Sequence, residues 1–334
     1  MKQENYKETY IYQPSVKNSD AIPLWWCFPS TKKIGMSSLG YLSLFKLFDI
    51  NPDVSPERIF TDSEKTSASH REVKLMGFSV SFELDFLGIF KILEKHKIPL
   101  RSAERGEEYP VIFGGGPVMS ANPEPYADFF DVIILGDGED ILNEIITAYK
   151  NLGNNLTKKE KLINLAQISG VYIPSLYEPE YNSDYSIKEL VKKADNIPDI
   201  IYKRSAVLKN CMSTPILTPD SMFGDMFLIE TARGCPKKCR FCLASYLNLP
   251  ARYPDYECII DAIETGLNYS NKIGFLGALI TEHPHFEKIC EYILEKRKNR
   301  EFEISVSSLR ADRLSPLIVK TLVECGQKQS TIAL

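Results

Sequence analysis

The chain has 334 residues, of which 44% are hydrophobic and 25% charged, and its formal net charge is −4 at pH 7. This balance is that of an ordinary globular protein, which excludes wholesale disorder and argues against a broad nucleic-acid-binding surface. No stretch approaches the roughly 18 apolar residues of a membrane span, and the N-terminus lacks the apolar core of a secretion signal. We therefore expect a cytoplasmic protein without membrane contact.

Residues 21–150 alternate strand-like and helix-like segments. Strands are predicted at Leu24–Phe28, Leu75–Val80, Val111–Phe113 and Val132–Leu135, and helices behind Ser37-Ser38, at Phe86–Leu93 and over residues 141–149. Short loops marked by glycine follow the last two strands. This order is typical of βαβ units in a parallel sheet, so we predict a doubly wound, Rossmann-like α/β domain over residues 1–150.

Residues 151–222 are polar and interrupted by prolines, and they are predicted to form a connector with a few short strands, such as Gly170–Ile173. A second series of strands (Met226–Glu230, Ile273–Leu276, Phe302–Val306) and helices (Ile259–Leu267, Phe286–Lys298, Ser315–Cys325) follows. We predict a βα barrel over residues 223–334. This segment is about half as long as a usual barrel of at least about 200 residues, and it stops on an apolar strand, so we expect a barrel truncated at its C-terminus.

The eight cysteines divide into a cluster and five scattered residues. Cys235, Cys239 and Cys242 follow the spacing C-x3-C-x2-C, whereas positions 27, 211, 258, 290 and 325 suit packing residues. Such a cluster in a large chain indicates metal or cluster ligation rather than a disulfide scaffold. Three thiolates can hold three corners of a [4Fe–4S] cluster and leave one iron open. A structural zinc site stays an alternative, although it needs a fourth ligand and the chain has no second cysteine pair.

The cysteine spacing, the aromatic Phe241 before the third cysteine and the strand ahead of the loop resemble the radical S-adenosylmethionine (radical SAM) superfamily. The resemblance implies that Cys235, Cys239 and Cys242 bind a [4Fe–4S] cluster whose open iron takes the amino and carboxylate groups of S-adenosylmethionine. A reductant such as flavodoxin or ferredoxin would supply one electron, and the resulting 5′-deoxyadenosyl radical would abstract a hydrogen atom from the substrate.

The same resemblance implies S-adenosylmethionine contacts on the barrel strands. Phe241 would bring its backbone to the adenine, and Gly277-Ala278 stands where the family has a Gly-Gly-Glu type motif. Ser307 and Arg310 lie where ribose or carboxylate contacts are expected, although both could equally be polar residues that line the barrel.

The N-terminal half resembles the cobalamin-binding domain that precedes many radical SAM barrels. The glycines that carry this resemblance are Gly114, Gly115, Gly116, Gly136 and Gly138, and they would let a corrin approach the backbone. The D-x-H-x-x-G loop of such domains is missing, and the histidines of this half, His70 and His96, have another context. Either cobalamin binds without a protein histidine, or the domain keeps the fold and has lost the ligand; the glycines could also serve only as turns.

Together these features predict a radical SAM enzyme for hydrogen abstraction or methyl transfer on a substrate that the sequence does not identify. The segments SSLGY (37–41), GFSVSFELD (77–85), ANPEPYADFFD (121–131) and SSLRAD (307–312) look like one branch of fused radical SAM proteins. The competing functions are a non-catalytic iron–sulfur electron carrier or redox sensor, and a zinc-stabilised interaction module.

Overall fold

The computed structural model describes residues 7–153, 155–208 and 210–333, which divide between two compact units. The N-terminal unit consists of Gln13–Gly35 and Leu44–Ala206. The C-terminal unit consists of the described residues of Met1–Tyr12, Met36–Ser43 and Val207–Leu334. The division into domains at residues 150 and 222 stays a prediction.

The strands, in chain order, are β1 Thr9–Tyr10, β2 Ile22–Phe28, β3 Val54–Phe60, β4 Leu75–Ser79, β5 Val111–Gly115, β6 Val132–Ile134, β7 Val171–Tyr172, β8 Tyr177–Tyr181, β9 Ile187–Lys192, β10 Ile216–Leu217, β11 Phe227–Glu230, β12 Lys272–Leu276, β13 Glu303–Val306, β14 Leu309–Arg310 and β15 Ile332–Ala333. The α-helices are α1 Lys32–Gly35, α2 Leu39–Ile50, α3 Phe86–Lys95, α4 Pro117–Ala121, α5 Gly138–Asn151, α6 Lys158–Leu165, α7 Leu243–Leu247, α8 Tyr256–Leu267, α9 Phe286–Arg297 and α10 Pro316–Glu324. No helix within the described ranges is long and apolar enough to cross a membrane.

The N-terminal unit is built on a six-stranded sheet with the order β3-β2-β4-β5-β6-β7. Neighbouring strands from β3 to β6 are parallel, and β7 pairs antiparallel with β6. The central strands are apolar runs buried on both faces, as parallel strands covered by helices must be. The sheet therefore confirms the predicted doubly wound α/β fold, in the flavodoxin-like strand order whose switch point lies between β2 and β4.

The C-terminal unit contains the parallel sheet β11-β12-β13 and a parallel pair of β14 with β15. Helix α8 packs on β11 and β12 through a buried apolar stripe that includes Ile259, Ile263 and Leu267. Helices α9 and α10 extend the same core past β13. This arrangement is the predicted partial βα barrel, and its strand ends bring the loops after β11, β12 and β13 to one edge.

Candidate functional site

The cysteine loop begins where β11 ends, and its first residues are fixed to two neighbouring segments. Thr231 is fully buried, and both its backbone N–H and its hydroxyl donate to the Leu276 carbonyl oxygen, at 2.8 and 3.1 Å. Arg233 and Arg252 exchange both backbone hydrogen bonds at 2.9 Å. The loop therefore leaves the sheet in a defined direction at the carboxyl edge of the barrel.

Gly234 allows the chain to turn just before the first cysteine. Its φ is +83°, in the left-handed region, and a Cβ atom there would overlap the Asn248 carbonyl oxygen. Glycine is thus required by both the backbone conformation and the close approach of Asn248.

Gly234→Ala is expected to lower the free energy of unfolding of the C-terminal unit by about 3 kcal/mol, because φ strain adds to a clash with backbone. Gly224→Ala is the matched control, since Gly224 has φ +61° but open space around its Cβ position; a loss of about 1 kcal/mol is expected there. Thermal unfolding followed by circular dichroism measures both. Equal losses for the two variants would contradict the packing role of Gly234.

The three cysteines of the loop are free and partly exposed. The Cys242 N–H donates to the Cys239 carbonyl oxygen at 3.0 Å, which closes a turn between the last two thiols. The Ser245 backbone N–H holds the pKa of the Cys242 thiol below its usual value, because it stabilises the thiolate. Within the described part of the chain, no three His, Cys, Asp or Glu side chains are grouped so that they could hold a metal ion.

The donor chemistry nevertheless suits an iron–sulfur cluster. Three thiols lie on one loop of eight residues, and each could bind a separate iron of a [4Fe–4S] cube, which would leave the fourth iron open. Two of the cations around the loop are already held by carboxylates. Arg233 makes a two-pronged ion pair with Glu230, at 2.9 and 2.8 Å, and the Lys237 ammonium lies 2.8 Å from Glu282.

Glu282 is a residue of this edge that sequence reasoning did not find. Its Oε1 accepts from Lys237 and also, at 2.9 Å, from Arg313 Nε. Burial raises the pKa of Glu282, but the Lys237 hydrogen bond and the charges of Lys237 and Arg313 outweigh it, so the pKa lies below its usual value. The sequence offered one sign that Glu282 lies at this edge, namely its position shortly after a predicted barrel strand.

The structure brings together some of the residues predicted to contact S-adenosylmethionine. The Ser307 hydroxyl donates to the Gly277 carbonyl oxygen at 2.9 Å, and a Cβ on Gly277 would lie 3.0 Å from Ala232 Cβ, at the start of the cysteine loop. Gly277 and Ser307 therefore line one edge of the barrel with the loop. Ala278 is exposed beside them.

Arg310 and Phe241 have different surroundings. The Arg310 guanidinium pairs with Asp312 at 2.8 Å, and this hydrogen bond, with smaller contributions from charges that include Cys239, raises its pKa. Phe241 projects into solvent and is 91% exposed. The roles of all five residues toward S-adenosylmethionine stay predictions.

The glycines predicted to approach a corrin are packed against the chain itself. Gly116 and Gly136 have φ of +135° and +108°, and a Cβ on either would overlap a carbonyl oxygen, of Val80 and Arg204 respectively. Residue 204 also pairs with Gly136 as a β-bridge. These two glycines are therefore explained by the fold, whether or not a ligand binds.

The other three glycines also face protein atoms. Gly114 and Gly115 belong to β5, and a Cβ on them would press on Phe130 and on Ile134, whereas Gly138 at the start of α5 would make only ordinary contacts. No open cradle for a corrin is formed by the glycines, so their predicted role in cobalamin binding gains no support from their packing.

The segment that follows β4 at the switch point carries a different feature. Three large apolar side chains after β4, Phe82, Leu84 and Leu87, are 69%, 85% and 63% exposed. Asp85 fixes this segment, because its carboxylate accepts from the N–H groups of Ser81 and Phe82, both at 2.9 Å. The carboxyl edge of the sheet thus presents an apolar surface whose backbone is fixed by hydrogen bonds. Proteins with such folds bind their ligands at this edge.

Neither histidine of the N-terminal unit lies at that edge. His96 follows the C-terminus of α3, which runs back toward the amino ends of the strands, and its ring packs 4.5 Å from that of Trp25. His70 precedes β4 and stacks on Tyr109 at 5.5 Å. If either histidine were the cobalt ligand, the cobalamin would have to lie at the opposite edge of the sheet.

Known proteins share this chain's architecture at low sequence identity. The fold is similar to that of the cobalamin-dependent S-adenosylmethionine radical enzyme OxsB, solved with aqua-cobalamin and S-adenosylmethionine bound (TM-score 0.51, 15% identity, 93% of this chain and 43% of that one). It is also similar to the radical S-adenosylmethionine methyltransferase TsrM from Kitasatospora setae, solved with cobalamin and a [4Fe–4S] cluster (TM-score 0.53, 14% identity, 92% and 59%). These likenesses show a shared fold.

A sequence relative is the uncharacterised protein MJ0966 of Methanocaldococcus jannaschii, 26% identical over 251 residues, which are 73% of this chain and 46% of the relative. The chain therefore spans about half the length of this curated relative.

Two family models match separate regions of the chain. Residues 49–174 match the N-terminal region of radical SAM proteins, and residues 229–334, which include the cysteine loop, match the radical SAM superfamily domain. Together they cover more than half of the sequence and confirm the resemblance from the cysteine spacing. The chain belongs to the radical SAM superfamily of enzymes, with an N-terminal region of cobalamin-binding-like fold.

Proposed function

We propose that this chain holds a [4Fe–4S] cluster through Cys235, Cys239 and Cys242 and serves to cleave S-adenosylmethionine reductively. The observation that carries the proposal is the position of three free thiols on one loop at the carboxyl end of β11, within a radical SAM domain. When bound, such a cluster supplies the electron that breaks the sulfonium C–S bond, giving methionine and a 5′-deoxyadenosyl radical.

The protein's own contribution is binding and orientation. Gly234 and the backbone hydrogen bonds of Thr231 and Arg233 hold the thiols at the edge where the barrel loops meet. Gly277 and Ser307 lie beside the loop, and with Phe241, Ala278 and Arg310 they are the proposed contacts for S-adenosylmethionine.

The reaction on the substrate would be hydrogen abstraction or methyl transfer, and the substrate class stays open. A one-electron reductant of the flavodoxin or ferredoxin type is the proposed partner, since the cluster must first be reduced by an external donor before it can pass an electron to S-adenosylmethionine. The free cysteines suit the predicted cytoplasmic location, because reduced thiols persist in a reducing compartment.

Release of 5′-deoxyadenosine tests this function. The chain is purified without oxygen, reconstituted with iron and sulfide, reduced with dithionite and incubated with S-adenosylmethionine. We expect 5′-deoxyadenosine that is missing from the Cys235→Ser variant. A reduced cluster that yields no more product than this variant would contradict the proposal and favour an electron carrier or redox sensor; tightly bound zinc would favour the interaction module.

A second candidate, cobalamin binding by the N-terminal unit, is favoured by the exposed apolar surface of Phe82, Leu84 and Leu87 at the switch point. This surface suits the flat face of a corrin ring, and proteins of the same fold hold cobalamin. Neither His70 nor His96 would bind the cobalt at this edge.

Spectral titration of the full chain with aquacobalamin tests the second candidate. We expect a saturable change in corrin absorption, and Leu84→Asp is expected to weaken binding about tenfold, because one apolar side chain loses its burial. Leu190→Asp is the control, since Leu190 is also exposed but lies on β9. An unchanged spectrum, or equal binding by both variants, would contradict a corrin at this surface.

A further inference from the structure

Glu282 follows β12 in a segment that is fixed on both sides. It ends the short 3-10 turn Ile280–Glu282, in which Ile280 is fully buried, and the next residue, His283, is 3% exposed. The His283 ring uses both nitrogens: Nε2 donates to the Pro254 carbonyl oxygen at 3.0 Å, and Nδ1 accepts from the His285 N–H at 3.1 Å. The backbone at Glu282 is thus held independently of its own side chain.

The Glu282 side chain connects three loops at the carboxyl edge of the barrel. Its Oε1 lies 2.8 Å from Nζ of Lys237, in the loop after β11, and 2.9 Å from Nε of Arg313, in the loop after β14. The carboxylate is only 12% exposed, and Lys237 is 25% exposed. Pairs shielded to this degree are weakened less by solvent than surface ion pairs are.

The loop that receives this contact has a strained backbone. Lys238 has φ +51°, a conformation that non-glycine residues seldom adopt and that persists only where the surroundings enforce it. Two restraints flank it: the Tyr246 hydroxyl donates to the Lys238 carbonyl oxygen at 2.9 Å, and Lys237 is held by Glu282. Pro236, Lys237 and Lys238 separate Cys235 from Cys239, so these restraints act on the spacing of two thiols.

We propose that Glu282 is a positioning residue for the cysteine loop, and that it acts through Lys237. The ion pair keeps the segment between Cys235 and Cys239 in its strained backbone conformation. It also places the negative charge of Glu282 beside the positive charge of Lys237. The inference rests on the proposed cluster site. Outer groups of this kind tune metal sites without touching the metal, and their loss commonly costs 10–100-fold in affinity.

Iron retention against a chelator measures the effect after anaerobic reconstitution. Glu282→Gln is expected to lose iron at a chelator concentration about 10- to 100-fold lower than the concentration at which the wild-type chain loses it. Glu264→Gln is the control, because Glu264 also pairs with a lysine, Lys296 at 2.6 Å, but between α8 and α9. It is expected to retain iron like the wild type.

A double-mutant cycle separates positioning through Lys237 from a general effect on the fold. If Glu282 acts through Lys237, the combination of Glu282→Gln with Lys237→Met loses no more iron than the worse single variant. Additive losses would overturn the inference. In the chain without iron, hydrogen exchange of the amides in residues 237–240 is expected to rise at least tenfold in Glu282→Gln, with unchanged exchange in β12.

The outcomes distinguish this inference from the proposed function. A wild-type chain that binds no iron contradicts the cluster site itself. A wild-type cluster that depends on the three cysteines, together with wild-type iron retention and loop exchange in Glu282→Gln, contradicts only the role of Glu282. If Glu282→Gln also exchanges faster in β12, the residue stabilises the barrel as a whole, and positioning through Lys237 is likewise overturned.

Discussion

Cys239→Ser is expected to abolish stable iron binding after anaerobic reconstitution. A serine hydroxyl is a hard, weakly acidic ligand in place of a thiolate, and iron–sulfur clusters are held by thiolates. The loop offers only two further thiols, Cys235 and Cys242, and two corners do not hold a cube. Iron and acid-labile sulfide per chain, measured with the visible absorption of the cluster, report the loss.

Cys258→Ser is the control for this variant. Cys258 is also partly exposed and forms no disulfide, but it lies on α8, outside the cysteine loop. The wild-type iron content is expected there. A Cys239→Ser chain that keeps its cluster, or a Cys258→Ser chain that loses it, would contradict the assignment of the three loop cysteines.

Asp131→Ala is expected to lower the free energy of unfolding of the N-terminal unit by about 3–5 kcal/mol, because it leaves the buried cations of Arg105 and Lys158 without their carboxylate counter-charge. Asp131 is 4% exposed, its carboxylate accepts from the Ile112 N–H at 2.8 Å, and it lies 3.1 Å from Lys158 and 3.6 Å from Arg105. Burial lowers the pKa of both cations, and the charge of Asp131 opposes this effect.

Tryptophan fluorescence during urea unfolding measures this loss selectively, because both tryptophans of the chain, Trp25 and Trp26, are buried in β2 of the N-terminal unit. Asp128→Ala removes an exposed partner of Arg101 from the same region and is expected to change stability by less than about 1 kcal/mol. Similar losses in the two variants would show that the contribution of the Asp131 ion pairs to the free energy of unfolding does not depend on their burial.

The fold was largely predictable where apolar runs mark the strands. β4, β5, β6, β11, β12 and β13 lie within a residue or two of their predicted places, because buried parallel strands are continuous apolar runs. β3 was missed, since this edge strand carries Pro56 and charged residues. Helix α6 was also missed: half of its residues are charged, although the Thr157/Glu160 capping box was a readable start signal.

The candidate site was predictable only where its residues are close in sequence. The cysteine spacing is local, so the loop could be assigned before the structure was known. The Lys237–Glu282 pair joins residues that are far apart along the chain, and nothing in their local sequences marks them as partners. The exposure of Phe82, Leu84 and Leu87 was equally hidden, because apolar residues beside a helix start normally predict core.

The open iron is the central claim of this account, and Mössbauer spectroscopy of the reconstituted chain tests it most directly. Three cysteine ligands leave one iron of four to bind S-adenosylmethionine. Addition of S-adenosylmethionine is therefore expected to change the signal of one quarter of the iron in a [4Fe–4S] cluster and to leave the remainder unchanged. A [4Fe–4S] spectrum that S-adenosylmethionine does not alter would contradict the claim.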